Sequence, residues 1–350
     1  METQGLSEYM KDVAIKVDAS AREILSESSI RQFASVSEHI SFNNDELNKS
    51  LSDPFLWLYE SGGKRIRPVL ACLAFHAFGG KGDDIYSYAL IPELIHSGTL
   101  IVDDIEDRSE SRRGRDCVYR KFGEPLSINA GNYLYFAPLA FLLDSGMPDS
   151  RKAKIYESYL RCMGRISVGQ ALDIFWSERK AYDVGLDNYL EMSSLKTGAL
   201  LKFCVELGAL AAGAELGAFK KILPAISDAG VAFQIKDDLL NLTASSSLGK
   251  KDFEDIKEGK LTFLVAAAMA KCSEHEKSVL SEMLAMKDKS EKDISEILRL
   301  LEDSGAMRLA KEQSEMLLSS SLKSLKSSVP GSDYKNLLLE LVQLFLFRKS

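Results

Sequence analysis

The chain has 350 residues, of which 45% are apolar and 27% are charged, so it is long enough to bury a large core. Its 44 Lys and Arg residues against 51 Asp and Glu residues leave a formal charge of −7, which excludes the basic signature of a nucleic-acid-binding protein. The five cysteines form no CxxC pair and are odd in number, which argues against a disulfide framework or a zinc knuckle and favours a reducing, cytoplasmic location.

Apolar residues follow helical spacing along the chain. They recur three and four positions apart, and no segment sustains the period-two alternation of a strand or contains an Asn-Gly hairpin turn. The clearest helical segments are residues 91–105, 200–210, 261–270 and 337–346. Gly, Pro or Ser residues interrupt the pattern at 62–63, 79–80, 125, 146–148, 224, 245–249 and 329–331. The sequence therefore predicts an all-α protein of ten to thirteen helices.

The two ends of the chain and its division into domains carry further expectations. No shift in composition marks a boundary, so we expect a single domain over residues 1–350, with residues 1–25 as a loosely held first helix. The first residues lack the basic and apolar regions of a signal peptide. The longest apolar-rich stretch, residues 337–347, is too short to cross a bilayer, so no transmembrane segment is expected.

An acidic cluster ends one of these apolar segments. Asp103 and Asp107 are four residues apart, so they share one helix face about 6 Å apart along the axis, and Asp104 lies about 100° round from Asp103. Their mutual repulsion would be relieved by a cation, and aspartate oxygens with retained waters suit Mg²⁺ bridged to a phosphate. A solvated acidic surface is the alternative explanation for one such cluster alone.

A second acidic cluster repeats this spacing later in the chain. Asp237, Asp238 and Asn241 again stand at the first, second and fifth positions at the end of an apolar helix. Two facing acidic helices could hold several Mg²⁺ ions around one diphosphate. The repetition favours such a site over a solvated surface.

Basic residues stand where a diphosphate would need them. Residues 62–68, Gly-Gly-Lys-Arg-Ile-Arg-Pro, lead from a glycine turn into a helix start, and helix N-termini with Lys and Arg suit phosphate. Further basic residues are Arg112, Arg113, Lys196, Lys251 and Lys260. Each alone would be called surface charge. The chain carries no GxGxxG motif or P-loop, so these residues are its candidate contacts to phosphate.

The order of the motifs resembles the trans-isoprenyl diphosphate synthases of the polyprenyl synthase family over about residues 60–265. Residues 62–68 match the GGKxxRP motif of that family, and residues 103–107 with 112–114 match its first aspartate-rich motif and RRG tail. The later matches, in order, are residues 128–131, 169–173, 196–198, 234–241 and 249–260. Within the family, both aspartate motifs and Leu-Asp-Ile-Phe-Trp at 172–176 most resemble geranylgeranyl diphosphate synthases.

The resemblance implies a fold, a reaction and a metal. Helices would surround a central prenyl-binding cavity in an isoprenoid synthase domain, and the protein would be a homodimer. The enzyme would condense isopentenyl diphosphate with an allylic diphosphate (dimethylallyl, geranyl or farnesyl) by ionisation, condensation and proton loss. Three Mg²⁺ ions per active site are implied. Their ligands would be Asp103, Asp104, Asp107 and Asp237, with Asp238 as an alternate or supporting ligand.

The resemblance also implies which residues bind the two substrates. Arg112, Lys196 and Lys260 would contact the allylic diphosphate, and Thr197, Gln234 and Lys251 would line its side of the site. Isopentenyl diphosphate would be held by Lys64, Arg67, His96 and Arg113. The catalytic set implied in this way is Asp103, Asp104, Asp107, Lys196, Asp237 and Lys260.

Product length is expected to depend on the residues that precede the first aspartate motif. In related enzymes the positions four and five before Asp103 face the cavity, and here they are Thr99 and Gly98. Their small side chains would leave the floor open for a product of twenty carbons or more, and Gly98→Phe would shorten it. The alternatives are that Gly98 only allows close helix packing and that Ile95 closes the tunnel.

Two other functions share parts of this pattern. A class I terpene cyclase normally carries an NxxxSxxxE motif, which Asn241 and Ser245 fit but Gly249 does not. A non-catalytic subunit that binds prenyl diphosphates often lacks aspartates of the first motif, whereas this chain keeps all three. Consumption of isopentenyl diphosphate by the purified chain distinguishes a synthase from both.

Overall fold

The computed structural model describes residues 3–34, 44–143, 145–243 and 253–344, and these residues are almost entirely helical. The helices are α1 (Gln4–Ile24), α2 (Glu27–Phe33), α3 (Asn44–Leu47), α4 (Asp53–Tyr59), α5 (Ile66–Ala77), α6 (Ile85–Glu106), α7 (Val118–Phe122), α8 (Glu124–Phe136), α9 (Ala140–Leu143), α10 (Asp149–Arg179), α11 (Leu186–Ser193), α12 (Ala199–Ala211), α13 (Leu216–Phe219), α14 (Leu223–Thr243), α15 (Glu254–Glu258), α16 (Phe263–Lys271), α17 (Glu274–Ala285), α18 (Glu291–Asp303), α19 (Ala306–Ser328) and α20 (Asp333–Gln343). Two short strands, β1 (Ser111–Arg112) and β2 (Arg115–Asp116), form a hairpin. The predicted all-α class is confirmed.

The predicted breakers agree with the observed helix boundaries, whereas the predicted number of helices is too low. The glycine pairs at 62–63 and 79–80 separate α4, α5 and α6, and Pro224 lies in the first turn of α14, where proline is tolerated. The described residues contain twenty α-helices rather than ten to thirteen. Five of them have only four or five residues, which is too short for an apolar repeat to show in the sequence.

The core is built around helices that are buried nearly all round. Most side chains of α5, α6 and α12 are buried, as expected of strongly apolar helices, and α12 packs against both of the others. A second apolar cluster joins α11, α14 and α16–α19. Leu317 of α19 packs against both clusters. The two acidic motifs end α6 and α14, which therefore hold them on a rigid frame.

Helix α1 is packed into the core, which differs from the loose attachment expected for residues 1–25. Its buried side chains repeat every three or four residues: Leu6, Met10, Val13, Val17, Ala21 and Ile24. The Thr3 hydroxyl caps its start by accepting from the backbone N–H of Leu6. The expectation was wrong because the apolar stripe of α1 matches a groove formed with α5 and α6, which the local sequence does not reveal.

Two stretches are long and apolar enough to cross a membrane by length and composition, Ile85–Glu106 and Glu124–Leu143. The apolar window of the first is 72% buried inside the protein and that of the second is 39% buried. Core helices of globular proteins pass the same test, so these stretches are weak indications of a span. The expected absence of a transmembrane segment stays a prediction.

Candidate active site

A cavity of about 1050 Å³ opens among α6, α8, α10, α12 and α14 and brings most of the predicted site residues together. Those that line it are Arg67, His96, Thr99, Asp103, Asp107, Arg112, Lys196, Thr197, Gln234, Asp237, Asp238 and Lys260. Asp104, Gly98, Lys64 and Arg113 do not line the cavity. Lys251 lies outside the described residues.

Asp103 is the centre of a polar network at the end of α6. Its carboxylate accepts from Gln170 Nε2 at 2.9 Å and Lys196 Nζ at 3.3 Å, and Arg112 approaches to 3.8 Å. Burial opposes ionisation of Asp103, but these cations, with Lys260, outweigh it and hold its pKa below the usual range. Asp103 is therefore a carboxylate at neutral pH.

Asp107 stands one helical turn further on, at the C-terminal cap of α6. Lys260 Nζ lies 2.5 Å from its Oδ2. Burial raises the pKa of Asp107 to about 6 although Lys260 favours the charged form, and the nearby Asp103 adds to the increase. The expected shared face of Asp103 and Asp107 thus exists, and both carboxylates point into the cavity.

Asp104 faces away from the cavity, which corrects the expectation that it is a metal ligand. Its side chain is 1% exposed, and its Oδ1 accepts from both Nε (2.8 Å) and an Nη of Arg112. The 100° step between neighbouring helix positions turns Asp104 towards the β1–β2 hairpin when Asp103 faces the cavity. Asp104 therefore orients Arg112, and Arg112 reaches the cavity wall.

Asp238 lies at the cavity wall, but both of its carboxylate oxygens already accept hydrogen bonds from the protein. Its Oδ2 accepts from the Tyr189 hydroxyl at 2.6 Å and the backbone N–H of Phe263 at 2.8 Å, and its Oδ1 accepts from Gln234 Nε2 at 3.1 Å. Burial raises its pKa. These bonds join α11, α14 and α16, so Asp238 ties the second acidic motif to its neighbours, and its role as an alternate or supporting metal ligand stays a prediction. Asp237, the neighbouring carboxylate of α14, also lines the cavity.

Lys196 lies on an unpredicted π-helical turn, Ser194–Gly198. Such turns within helices are frequent at functional sites. Lys196 Nζ lies 2.6 Å from Asp173 and 3.3 Å from Asp103, and these carboxylates raise its pKa in spite of burial. The Thr197 hydroxyl donates to Gln234 Oε1 at 3.0 Å. The turn thereby directs both Lys196 and Thr197 into the cavity.

Gly169 of α10 lets this turn approach closely. A Cβ at Gly169 would lie 2.6 Å from the backbone nitrogen of Lys196. We expect Gly169→Ala to destabilise the fold by about 1–3 kcal/mol because the turn must shift away. Thermal unfolding checks this. Gly164→Ala, on the same helix with no atom within 4 Å, should leave stability unchanged or slightly raised, and equal effects at the two positions would contradict the packing argument.

The basic hairpin after α6 was not predicted from the sequence. Arg113 and Gly114 connect β1 to β2 with φ of +54° and +76°, the signs that a type I′ turn requires. Arginine is rare at such a φ, so the sequence lacked the usual Asn-Gly signal. The Arg113 guanidinium donates to the carbonyl of Gly62, and Trp57 Nε1 donates to that of Asp116 at 2.9 Å. The exposed Arg113 is thereby held beside the turn that carries Lys64, which is also exposed.

Arg65, to which the sequence assigned no role, holds that glycine turn in place. It is 7% exposed and has a φ of +48°. Its guanidinium contacts Asp18 of α1 at 3.1 Å, Glu93 of α6 at 3.6 Å and the carbonyl of Tyr59 at 3.0 Å. The sequence feature that could have indicated this role is Glu93, because a carboxylate within an apolar helix needs a buried cationic partner.

Gln170, Asp173 and Asp255 also had no predicted role. Gln170 donates to Asp103 and, at 2.6 Å, to Glu106, so α10 spans the end of α6. Asp255 of α15 lines the cavity, and burial raises its pKa to about 7, with further help from Asp238. The motif at residues 169–173 was the signal for Gln170 and Asp173, and the matched stretch 249–260 was the signal for Asp255.

One side of the cavity is apolar and partly aromatic. Its lining there includes Tyr135, Tyr159, Met163 and Ile166, together with the more exposed Phe136 and Leu160. Thr99 lines the cavity, but Gly98 faces α8: a Cβ at Gly98 would lie 2.6 Å from the carbonyl oxygen of Gly131 and 2.9 Å from the ring of Tyr135. The expectation that Gly98 leaves the floor open is therefore wrong, and its alternative, close helix packing, agrees with the structure.

The oxygen donors at the cavity mouth suit Mg²⁺ together with a phosphate. Asp103 and Asp107 project from α6 and Asp237 from α14, and the buried Oδ1 of Asn241 accepts no hydrogen bond within the described residues. Among these residues no three His, Cys, Asp or Glu side chains form a cage for a metal. Mg²⁺ prefers this situation, because it binds through a few carboxylates, waters and substrate phosphates.

Comparison with known proteins agrees with this geometry. The chain is 35% identical over 287 residues to a geranylgeranyl diphosphate synthase from Sulfolobus acidocaldarius, covering 80% of this chain and 86% of that one. Its structure is similar to a geranylgeranyl pyrophosphate synthetase from Pyrococcus horikoshii (TM-score 0.85, 26% identity, 99% and 100% coverage). It is also similar to a geranylgeranyl pyrophosphate synthase from Corynebacterium glutamicum complexed with isoprenyl diphosphate and magnesium (TM-score 0.83, 25% identity, 98% and 99% coverage). The Polyprenyl synthetase family profile matches residues 48–301, so the chain belongs to that family.

Proposed function

We infer that the protein is a Mg²⁺-dependent trans-prenyltransferase that condenses isopentenyl diphosphate with an allylic diphosphate to give geranylgeranyl diphosphate or a longer product. One observation carries the inference: the acidic ends of α6 and α14 meet Lys196 and Lys260 at the mouth of a cavity with one apolar wall. A diphosphate needs the charged mouth, and a prenyl chain needs the apolar wall. Membership of the family and the named products of the relatives support the same conclusion.

The charged mouth would hold the leaving diphosphate. Asp103, Asp107 and Asp237 would hold three Mg²⁺ ions, which, when bound, would neutralise the charge that develops as the carbon–oxygen bond breaks. Lys196 and Lys260 would turn from their carboxylate partners to the diphosphate oxygens. The allylic cation left behind would be attacked by the double bond of isopentenyl diphosphate. The released diphosphate would take the proton lost in the last step.

The remaining cations would divide between the substrates. Arg112, fixed by Asp104, would contact the allylic diphosphate, and Thr197, Gln234 and Lys251 would line that side. Isopentenyl diphosphate would be held by Lys64, Arg67, His96 and Arg113. Arg67 and His96 line the cavity, and Arg113 of the hairpin contacts the glycine turn that carries Lys64. Support for this second site comes from the cations around Arg113. Burial and the charges of Arg65, Arg112 and Arg67 lower the pKa of Arg113, although Glu93 opposes them, and a bound anion would relieve this repulsion.

The assembly and location of the protein are also proposals. Apolar side chains on α8 and α10 are exposed, including Phe136 at 59% and Leu160 at 67%, and both also line the cavity. A second copy covering this face would remove apolar area from water, which favours a homodimer. The absence of paired cysteines favours a cytoplasmic location.

The test is to incubate the purified chain with Mg²⁺, isopentenyl diphosphate and each of dimethylallyl, geranyl and farnesyl diphosphate, and to size the dephosphorylated alcohols. We expect consumption of isopentenyl diphosphate and a main product of twenty carbons or more. Cyclised hydrocarbon without consumption of isopentenyl diphosphate would identify a terpene cyclase. Inactivity until a second polypeptide is added would identify a non-catalytic subunit.

A further inference from the structure

Lys260 depends for its position on a very short helix. It directly follows Gly259, the left-handed cap (φ +70°) of the five-residue helix α15, and its backbone N–H donates to the carbonyl of Asp255 at 2.9 Å. An isolated helix of this length is unstable in water. The place of the Lys260 ammonium at Asp107 is therefore set by whatever holds the end of α15.

Three side chains hold that end by three successive backbone carbonyls. Lys289 Nζ donates to the carbonyl of residue 257 at 3.0 Å, Lys180 Nζ to that of residue 258 at 3.3 Å, and the Tyr182 hydroxyl to that of Gly259 at 2.9 Å. Carbonyls at a helix C-terminus lack partners within the helix and carry partial negative charge, so ammonium and hydroxyl donors stabilise them. We call Lys180, Tyr182 and Lys289 the α15 clamp.

The clamp combines one buried residue, Tyr182, with the exposed Lys180 and the half-buried Lys289. Tyr182 is 2% exposed, and Lys180 is the left-handed cap of α10, the helix that also carries Asp173 and Gln170. A Cβ at Gly259 would lie 2.3 Å from the carbonyl oxygen of Leu284 and 3.0 Å from the Tyr182 hydroxyl. The chain at Gly259 is thus pressed against the clamp, and only glycine fits there.

We propose that Lys180, Tyr182 and Lys289 are positioning residues that hold Lys260 in place for the allylic diphosphate. The proposal rests on the inferred function, in which Lys260 contacts that diphosphate. None of the three clamp residues lines the active-site cavity, and Lys180 and Tyr182 instead line a separate cavity of about 530 Å³. The clamp therefore acts through Lys260 and not by touching substrate.

Position matters here because preorganised charge is effective only at the right place. A displacement of about 1 Å in a positioning group can cost on the order of 100-fold in rate. Loss of the clamp should therefore weaken use of the allylic substrate. The isopentenyl site is proposed around Arg67 of α5 and Arg113 of the hairpin, on elements other than α15, and should be unaffected.

The experiment compares clamp variants of the full-length enzyme in the presence of Mg²⁺. Lys180→Met with Lys289→Met removes two donors while keeping chain length, and Tyr182→Phe removes only a hydroxyl. We expect kcat/KM for the allylic diphosphate to fall about 10-fold or more in the double variant, with KM for isopentenyl diphosphate unchanged. Lys180→Arg with Lys289→Arg should restore activity. Lys277→Met is the matched control. Lys277 lines the same separate cavity as Lys180 and Tyr182, but it forms an ion pair with Glu274 and does not hold α15.

The same substitutions in a Lys260→Ala background decide whether the clamp acts through Lys260. They should then cost little further activity, because the group that they position is gone. An equal loss in both backgrounds, or a lower melting temperature with unchanged kinetic constants, would overturn the proposal. If Lys260→Ala itself keeps the wild-type KM for the allylic diphosphate, the inferred role of Lys260 is wrong, and the proposal that the clamp positions it is wrong as well. If Lys260→Ala is impaired but the clamp variants are not, only the clamp is refuted.

Discussion

Asp103→Asn is expected to lower kcat/KM for the condensation by about 10³-fold or more. The substitution keeps the shape of the side chain and removes the charge that Lys196, Gln170 and Arg112 converge on. It would deprive Mg²⁺ of a ligand and remove one of the two ion pairs that Lys196 forms within the described residues, leaving the pair with Asp173. Steady-state kinetics at saturating Mg²⁺ measure the effect.

The control for this prediction is Glu110→Gln, which removes one carboxylate shortly after the same motif. Glu110 is exposed and pairs with Arg120 outside the cavity, so its loss should change activity less than twofold, as is usual for surface ion pairs. Circular dichroism should show both variants folded. A folded Asp103→Asn variant with more than a tenth of wild-type activity would show that Asp103 is not a metal ligand.

Tyr135→Ala is expected to lengthen the main product by at least one five-carbon unit. The ring of Tyr135 lines the apolar side of the cavity and fills the space beside Gly98, so its removal deepens the apolar pocket. Chromatography of the dephosphorylated products measures the change. Tyr133→Ala is the matched control, because Tyr133 lies on the same helix outside the cavity and should alter stability but not product length.

Gly98→Phe provides the contrasting case for the same pocket. A ring at Gly98 would collide with the backbone of Gly131, so this variant should be poorly folded instead of making a shorter product. Unaltered products from Tyr135→Ala, or a well-folded Gly98→Phe enzyme with a shorter product, would contradict this description of the pocket floor.

The part of the site that follows from helix periodicity was predictable. The spacing of Asp103 and Asp107 places both on one face, and the same geometry turns Asp104 away from it. The resemblance to the family nevertheless included Asp104 among the ligands. The repeated spacing in α14 identified the second acidic cluster. These features depend only on neighbours along one helix.

The rest depends on contacts between distant segments. Asp238 is occupied by Tyr189 and by the backbone of Phe263, and nothing in the residues around Asp238 indicates those partners. Gly98 meets Gly131 across a helix crossing, so its small size reflects packing and not an open floor. The π-helical turn at Lys196 and the hairpin at Arg113 contradict local propensity, as strained functional segments often do.

The pairing of acids and bases at the cavity mouth has a thermodynamic consequence. Mg²⁺ arriving alone would add positive charge beside Lys196 and Lys260, and a diphosphate arriving alone would add negative charge beside Asp103 and Asp107. When Mg²⁺ and the diphosphate bind together, their charges largely cancel. Mg²⁺ then takes the place of a lysine beside the aspartates, and the diphosphate takes the place of an aspartate beside the lysines. Cation and substrate are thus linked ligands, each increasing the affinity of the protein for the other by the same factor.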